Sequence, residues 1–496
     1  MNQRYIISID QSTQGTKALL LDYEKELRIL TRADRPHEQL VNEKGWVSHN
    51  PEEIYENVIG VVKDLMEKAF VSPEQVAALA ISNQRETSLI WDSRTGKPLA
   101  DAVVWQCSRA ADICGRDYIA DKADIIAAKT GIPLSPYFPA AKLCWLLENT
   151  PDAVTLMKEG FLRMGTVDTW LVYRLTQGRE YRTDYSNASR TQLFNIHTLQ
   201  WDEEICGLFG IDPACLPAVT DSDACFGITS CSGLLPQGVP IAAVLGDSHA
   251  ALFGQNCEVP GQTKVTYGTG SSIMMNVGST PSASTKGLAS SIGWVRSGRP
   301  VYVLEGNLNY TGAVITWLTK DLKIADNAWE TSPLAEEALQ DDDVYFVPAF
   351  SGLGAPYWDS HAKAAISGMD RTTGRNELVR AALESIAYQI GDVISAMEED
   401  SGVRIREIRV DGGPVANRFL MQFTADILDC AVSIPEAEEL SAIGVGLLAG
   451  ITLKVLPEDI RETFIRRRNI TPSMADGMRR KKLSGWKKAV ESVLAR

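Results

Sequence analysis

At 496 residues the chain is too long for one hydrophobic core, so two large domains are expected. Its 45% hydrophobic and 23% charged shares are those of an ordinary globular protein, and no apolar run reaches the roughly 20 residues of a membrane helix. A net charge of −14 argues against a nucleic-acid partner.

In chain order, residues 5–10 and 16–22 read as strands around the corner Asp10-Gln11-Ser12-Thr13-Gln14-Gly15-Thr16. A helix over 51–69 follows, with Asn50 as cap, Pro51 first and Glu52 and Glu53 in the first turn. Residues 76–82 and 87–91 are strands flanking Asn83-Gln84-Arg85-Glu86, and a third strand covers 102–105. Residues 139–149 form a helix. The apolar strand 241–245 then runs through Gly246-Asp247-Ser248-His249 into a short helix. Residues 263–276 repeat the opening strand-corner-strand pattern around Tyr267-Gly268-Thr269-Gly270-Ser271-Ser272, which places a domain divide near residue 253, between 1–253 and 254–496. Asp341-Asp342-Asp343 reads as a solvated turn before a strand over 344–347, and 378–399 as a long amphipathic helix. Asp411-Gly412-Gly413 closes the strand 408–410. The end of the chain reads as a helical basic tail, with Arg466-Arg467-Arg468 and Arg479-Arg480-Lys481-Lys482 on a solvated helix face. The nine cysteines form no CxxC pair and, with five scattered histidines, no zinc pattern. Reduced thiols, a cytoplasmic location and no signal peptide at Met1-Asn2-Gln3-Arg4 are expected.

The three Gly/Thr/Asp corners share a chemistry. Tight strand corners aim backbone N–H groups into a concavity that favours anions, and a carboxylate beside one can orient the Mg²⁺ that accompanies ATP. There is no GxxxxGK[ST] and no GxGxxG opening a helix after a strand, so the expected nucleotide site is of a two-domain hairpin kind. Asp247, at a strand end, is either a helix N-cap or a general base taking a proton from an attacking hydroxyl. Arg85-Glu86 is either a solvated pair or a grip on substrate hydroxyls. Trp105 and Tyr137-Phe138 are either core or the apolar walls of that substrate site.

The residues then match a known family. The chain resembles the FGGY carbohydrate kinases over essentially its whole length, and most of all their glycerol kinase branch. The likeness is carried by Gln84-Arg85-Glu86-Thr87, Val104-Trp105-Gln106-Cys107, Gly165-Thr166-Val167-Asp168-Thr169-Trp170, Phe194-Asn195-Ile196-His197, Leu383-Glu384-Ser385-Ile386 and Val410-Asp411-Gly412-Gly413. The resemblance implies an α/β protein of two actin-like (ribonuclease H-like) domains with ATP between them. It implies that Asp10 positions Mg²⁺ through water, that Thr13, Gln14 and Lys17 lie in the first phosphate loop, and that Gly268 and Thr269 lie in the second. Gly312, Thr316, Gly413 and Asn417 would line the nucleotide. Arg85, Glu86, Trp105, Tyr137 and Asp247 would contact the polyol, with Asp247 as base. Self-association as a homodimer or homotetramer is a further family expectation.

The departures carry information. Ser248 stands where glycerol kinases usually have glutamine, and Ser272 where they usually have an aromatic residue. Gln14 and Lys17 replace the usual threonine and arginine, and Lys17 keeps the charge without the bidentate fork. The segment by which some bacterial relatives sense a sugar bisphosphate is not recognisable in 230–238, nor is the regulatory histidine loop of others. The expected substrate is therefore a polyol longer than glycerol, or a ketose. Glycerol itself and a pentulose are the alternatives. A non-catalytic sugar sensor and an actin- or chaperone-like ATPase are the readings from other classes.

Overall fold

The computed structural model describes residues 3–339 and 342–494. Met1, Asn2 and Asp341, which entered the sequence reading, lie outside the described residues. The first sheet begins with β1 (Tyr5–Gln11), β2 (Gly15–Asp22) and β3 (Arg28–Pro36). β1 is buried at every position, as a central strand covered on both faces must be. Helix α1 (Pro51–Ala69) starts where the sequence places it, because the Asn50 side chain accepts the Glu52 N–H and Pro51 needs no partner there. β4 (Val76–Asn83), β5 (Ile228–Thr229) and β6 (Val239–Gly246) complete the sheet in the order β5-β6-β4-β1-β2-β3. Helix α2 (Asp247–Gly254) leaves the end of β6.

The second sheet is built from β7 (Gln262–Tyr267), β8 (Ser271–Gly278), β9 (Ala289–Arg296), β10 (Arg299–Leu308), β11 (Glu407–Gly412), β12 (Ala431–Pro435) and β13 (Arg467–Ile470). Its order is β9-β10-β8-β7-β11-β12-β13. Both sheets follow one plan. Three antiparallel strands, β1-β2-β3 or β7-β8-β10, are extended on the far side of the first by two parallel strands, β4-β6 or β11-β12. The three corners thus sit at equivalent strand ends. Gly412, at φ +100°, carries the third, and any Cβ there would collide with the backbone of Tyr267.

Helix α3 (Arg375–Ser401) covers the second sheet, while α4 (Leu440–Thr452), although late in the chain, packs on β1, β4 and β6 of the first. Gly254 of α2 and Gly444 of α4 meet where these helices cross, each leaving no room for a side chain on the other. Gly446 lies over Ser8 and Leu21 with no room for a side chain. One apolar cluster joins Ile6 and Leu19 of the first sheet, Ile443 and Leu447 of α4, and Met274 and Val303 of the second sheet.

The tail departs from its expected form. Arg467 and Arg468 belong to β13, an edge strand paired with β12, and Arg467 donates to the Gln255 carbonyl at 2.9 Å. A polar run on an edge strand shows no apolar alternation, so the period signal was absent. The second basic run does lie on a helix, α5 (Asp476–Val493), but Lys482 is buried in an ion pair with Glu384. Beyond the acidic turn, Asp343 pairs with Lys481, and Asp342 is half-buried rather than solvated.

Candidate active site

β4 and the strand Ser88–Asp92 enter different sheets, so residues 84–87 bridge the gap between them. That crossing buries Arg85 and Glu86 and rules out the solvated-pair reading. Arg85 Nη1 and Nη2 donate to the two oxygens of Glu305, each at 2.9 Å. Arg190 Nε donates to Glu86 at 2.6 Å, and its Nη1 lies 3.0 Å from Glu305. Glu305 has no side-chain exposure and comes from β10, so the network fastens the first half of the chain to the second. Burial alone would raise the Glu305 pKa, but Arg190 and Arg85 hold its carboxyl well below the usual range. His249 beside them is pushed well below its ordinary value by burial and by Arg85.

Gly246, not Asp247, takes the N-cap position of α2; Asp247 is the first helical residue. The capping alternative for Asp247 therefore falls. Its Oδ1 accepts the Ser248 N–H at 2.5 Å and lies 3.3 Å from Arg85 Nε, and the side chain remains about a third exposed, at 31%. Asp10, at the end of β1, is buried and accepts from Ser82 Oγ at 2.8 Å. Burial and the facing Asp247 carboxylate raise Asp10 to about 7. Asp10 forms no ion pair among the described residues, whereas Asp247 meets Arg85. Among the described residues no group of three acidic, His or Cys side chains could cage a metal. One or two carboxylates with water is the arrangement Mg²⁺ accepts, so the residues present fit that ion.

Asp247, Ser248 and Thr266 form the boundary between two cavities. The smaller, about 460 Å³, is walled by Arg85, Glu86, Trp105, Tyr137, Ser272 and Asn307. The larger, about 830 Å³, is walled by Asp10, Lys17, Lys264, Asp411, Gly413 and Arg468. An open depression of about 990 Å³ beside Asn50 and Tyr173 lies elsewhere, and its Arg94 and Arg174 are already matched by Asp92 and Glu52.

The polyol residues expected from the sequence thus share one cavity. Trp105 meets Tyr137 edge-on at 5.6 Å. Ser272 donates to Glu305 at 3.3 Å, and it faces Asn307 across β8 and β10. The expected nucleotide residues divide. Lys17 and Gly413 line the larger cavity, but Lys17 Nζ is 2.8 Å from both oxygens of Glu439. Thr13 turns to the smaller cavity, its Oγ1 accepting from Trp105 Nε1 at 2.9 Å. Gly268 also lines the smaller cavity, and Thr269 is exposed at the tip of the second corner. Gly312 packs on Gly268, its N–H donating to the Gly268 carbonyl at 2.9 Å. Gln14 and Thr316 line neither cavity; Thr316 Oγ1 donates back to Gly312 O at 3.1 Å. Asn417 also lines neither, its amide being spent on the Leu420 N–H and on Thr331 Oγ1, both at 2.9 Å.

Sequence reasoning missed Glu305, Arg190, Lys264 and Thr266. A signal for Glu305 existed: it is an acid placed directly after the apolar run Val301-Tyr302-Val303-Leu304.

The FGGY family of carbohydrate kinases matches through its N-terminal domain over residues 5–254 and through its C-terminal domain over 263–453. Glycerol kinase 1 of Thermotoga maritima is 45% identical over 492 residues, 99% of each chain. The glycerol kinase of Salmonella arizonae is 42% identical over 99% of this chain and 98% of its own. Among solved structures, Plasmodium falciparum glycerol kinase with ADP superposes with a TM-score of 0.94 at 35% identity, covering 100% of this chain and 99% of that one. A xylulose kinase from Rhodospirillum rubrum, 20% identical, covers 99% of each chain with a TM-score of 0.88 and shows likeness of fold.

Proposed function

As the chain belongs to the FGGY family of carbohydrate kinases, we propose that it transfers the γ-phosphoryl group of ATP to a terminal hydroxyl of a polyol longer than glycerol, or of a ketose. The carrying observation is that Asp247 stands in the wall common to both cavities, where a hydroxyl held in one would meet a phosphate held in the other. Phosphoryl transfer depends mainly on alignment and charge stabilisation.

In this reading Arg85 and Glu86 grip adjacent hydroxyls, and Trp105 and Tyr137 cover the carbon chain. Asp247 accepts the proton as the hydroxyl oxygen bonds to phosphorus and the bond to ADP breaks. Asp10, with Asp247 nearby, would hold Mg²⁺, which when bound neutralises phosphate charge. The third corner, at Gly413 in the larger cavity, offers its backbone to the phosphates, whereas the Gly268 N–H of the second corner is already donated to the Gly270 carbonyl at 2.7 Å. The halves divide near residue 253, and assembly as a homodimer or homotetramer rests on the family resemblance.

The preference for a longer substrate rests on Ser272 and Asn307, adjacent polar side chains where a bulky wall would shorten the 460 Å³ cavity. Buried polar groups reject a substrate that leaves them unpaired. Glycerol is the second reading, favoured by the retained Arg85, Glu86, Trp105 and Tyr137 and by the 45% identity to a glycerol kinase. An ADP-release assay over glycerol, tetritols, pentitols and pentuloses separates the two. The highest kcat/KM on a longer substrate is expected, and a clear preference for glycerol would overturn the first reading.

A further inference from the structure

The cleft face of the second sheet holds a buried cation that the proposed mechanism leaves unused. Lys264 and Thr266 sit two residues apart on β7 and so share one face. Lys264 is 1% exposed, and its Nζ donates to Thr266 Oγ1 at 2.7 Å. Among the described residues no carboxylate forms an ion pair with it. Its register neighbours are Met274 on β8 and another cation, Arg409, on β11. Arg409 is itself committed to the carbonyls of Gln255 and Asn256, while Asp411, lining the same cavity, accepts from Gln255 Nε2 at 2.7 Å. An ammonium taken out of water without an opposite charge is costly. A site of this kind is completed by an anion.

Its position selects the anion. Lys264 lines the larger cavity together with Asp10 and Asp247 but does not line the smaller one, whereas its hydrogen-bond partner Thr266 lines both. The ammonium therefore lies just on the nucleotide side of the boundary across which a hydroxyl would attack. Lys17, the other lysine of this cavity, differs: it is 43% exposed and already paired with Glu439.

We propose that Lys264 is a further catalytic residue, donating to an oxygen of the phosphoryl group in flight from a nucleoside triphosphate; this rests on the kinase reading above. Lys264 donates a hydrogen bond and gives up no proton in this step. The new bond joins the substrate oxygen to phosphorus, the bond to the leaving diphosphate breaks, and one Lys264 N–H moves from Thr266 to an equatorial phosphoryl oxygen as charge collects there.

The test uses the full chain and Lys264→Met, which keeps length and removes charge. With the best polyol of the panel, kcat is expected to fall about 10²-fold while the Kd of ADP shifts by less than about threefold. A folded Lys264→Met with kcat within about threefold of the parent would overturn the assignment. A crystal of the parent with a non-hydrolysable ATP analogue and Mg²⁺ decides the matter even where the variant does not fold. Nζ at about 3 Å from a γ-phosphate oxygen supports the assignment, and Nζ left on Thr266 with every phosphate oxygen beyond about 5 Å refutes it. A parent that binds the analogue on Lys264 yet phosphorylates nothing in the panel would sink the kinase reading while sparing this contact.

Discussion

Replacing Glu305 by Gln tests whether the buried network sets the grip on the polyol. Glu305 receives two N–H groups of Arg85 at 2.9 Å, faces Arg190 at 3.0 Å and accepts from Ser272 at 3.3 Å. Arg85 and Arg190 meet the buried Glu86 and Glu305 and, from Arg85 Nε, the part-exposed Asp247, so the variant leaves Glu86 as the remaining buried counter-charge to two buried guanidiniums. Removing one partner of a buried pair costs roughly 3–5 kcal/mol. Part of that is lost as stability, and part as freedom regained by Arg85. A misdirected charge-assisted hydrogen bond to substrate is worth about 1.5–3 kcal/mol, or roughly 10–150-fold in kcat/KM for the polyol. Glu305 lines neither cavity, so the KM for ATP should stay within about threefold. The assay is steady-state ADP release with each substrate varied in turn, beside a thermal melt. A folded Glu305→Gln whose polyol kcat/KM stays within about twofold of the parent would refute the reasoning.

Asp10 supplies a pH prediction. Its folded pKa, raised to about 7 from 3.8, means that stability present below pH 4 is lost as pH rises through 7, on the order of 4 kcal/mol for the metal-free chain. Asp10→Asn should therefore melt higher than the parent at pH 8 without Mg²⁺ or nucleotide, match it near pH 4, and be inactive; a parent at least as stable at pH 8 would contradict this. Ser272→Phe should shorten the smaller cavity and raise the glycerol-to-pentitol ratio of kcat/KM by about tenfold or more. An unchanged ratio would remove Ser272 from substrate selection.

Much of the scaffold was legible because local signals agreed with the fold. Asn50 and Pro51 mark the start of α1, and the all-apolar β1 marks a central strand. The strand-corner-strand pattern that opens each sheet also survived in the sequence. What the sequence hid was long-range pairing. Arg85 and Glu305 are 220 residues apart, and only the folded sheets bring them together. Asn417 looked like a nucleotide contact by resemblance, yet its amide is consumed in capping a helix and bonding Thr331. Thr13 sits in a phosphate-type corner, but its hydroxyl is turned toward Trp105 by one hydrogen bond that no spacing encodes. Lys264 stood in view beside the second corner. Only its burial, with no carboxylate partner among the described residues, distinguishes it from an ordinary strand lysine.

The central claim is that the Asp247 carboxylate takes the proton of the attacking hydroxyl at the wall between the two cavities. Measuring single-turnover phosphoryl transfer and ADP affinity for Asp247→Asn tests it most directly. Transfer should fall roughly 10²–10⁴-fold with ADP affinity nearly unchanged. Transfer within about tenfold of the parent would contradict it.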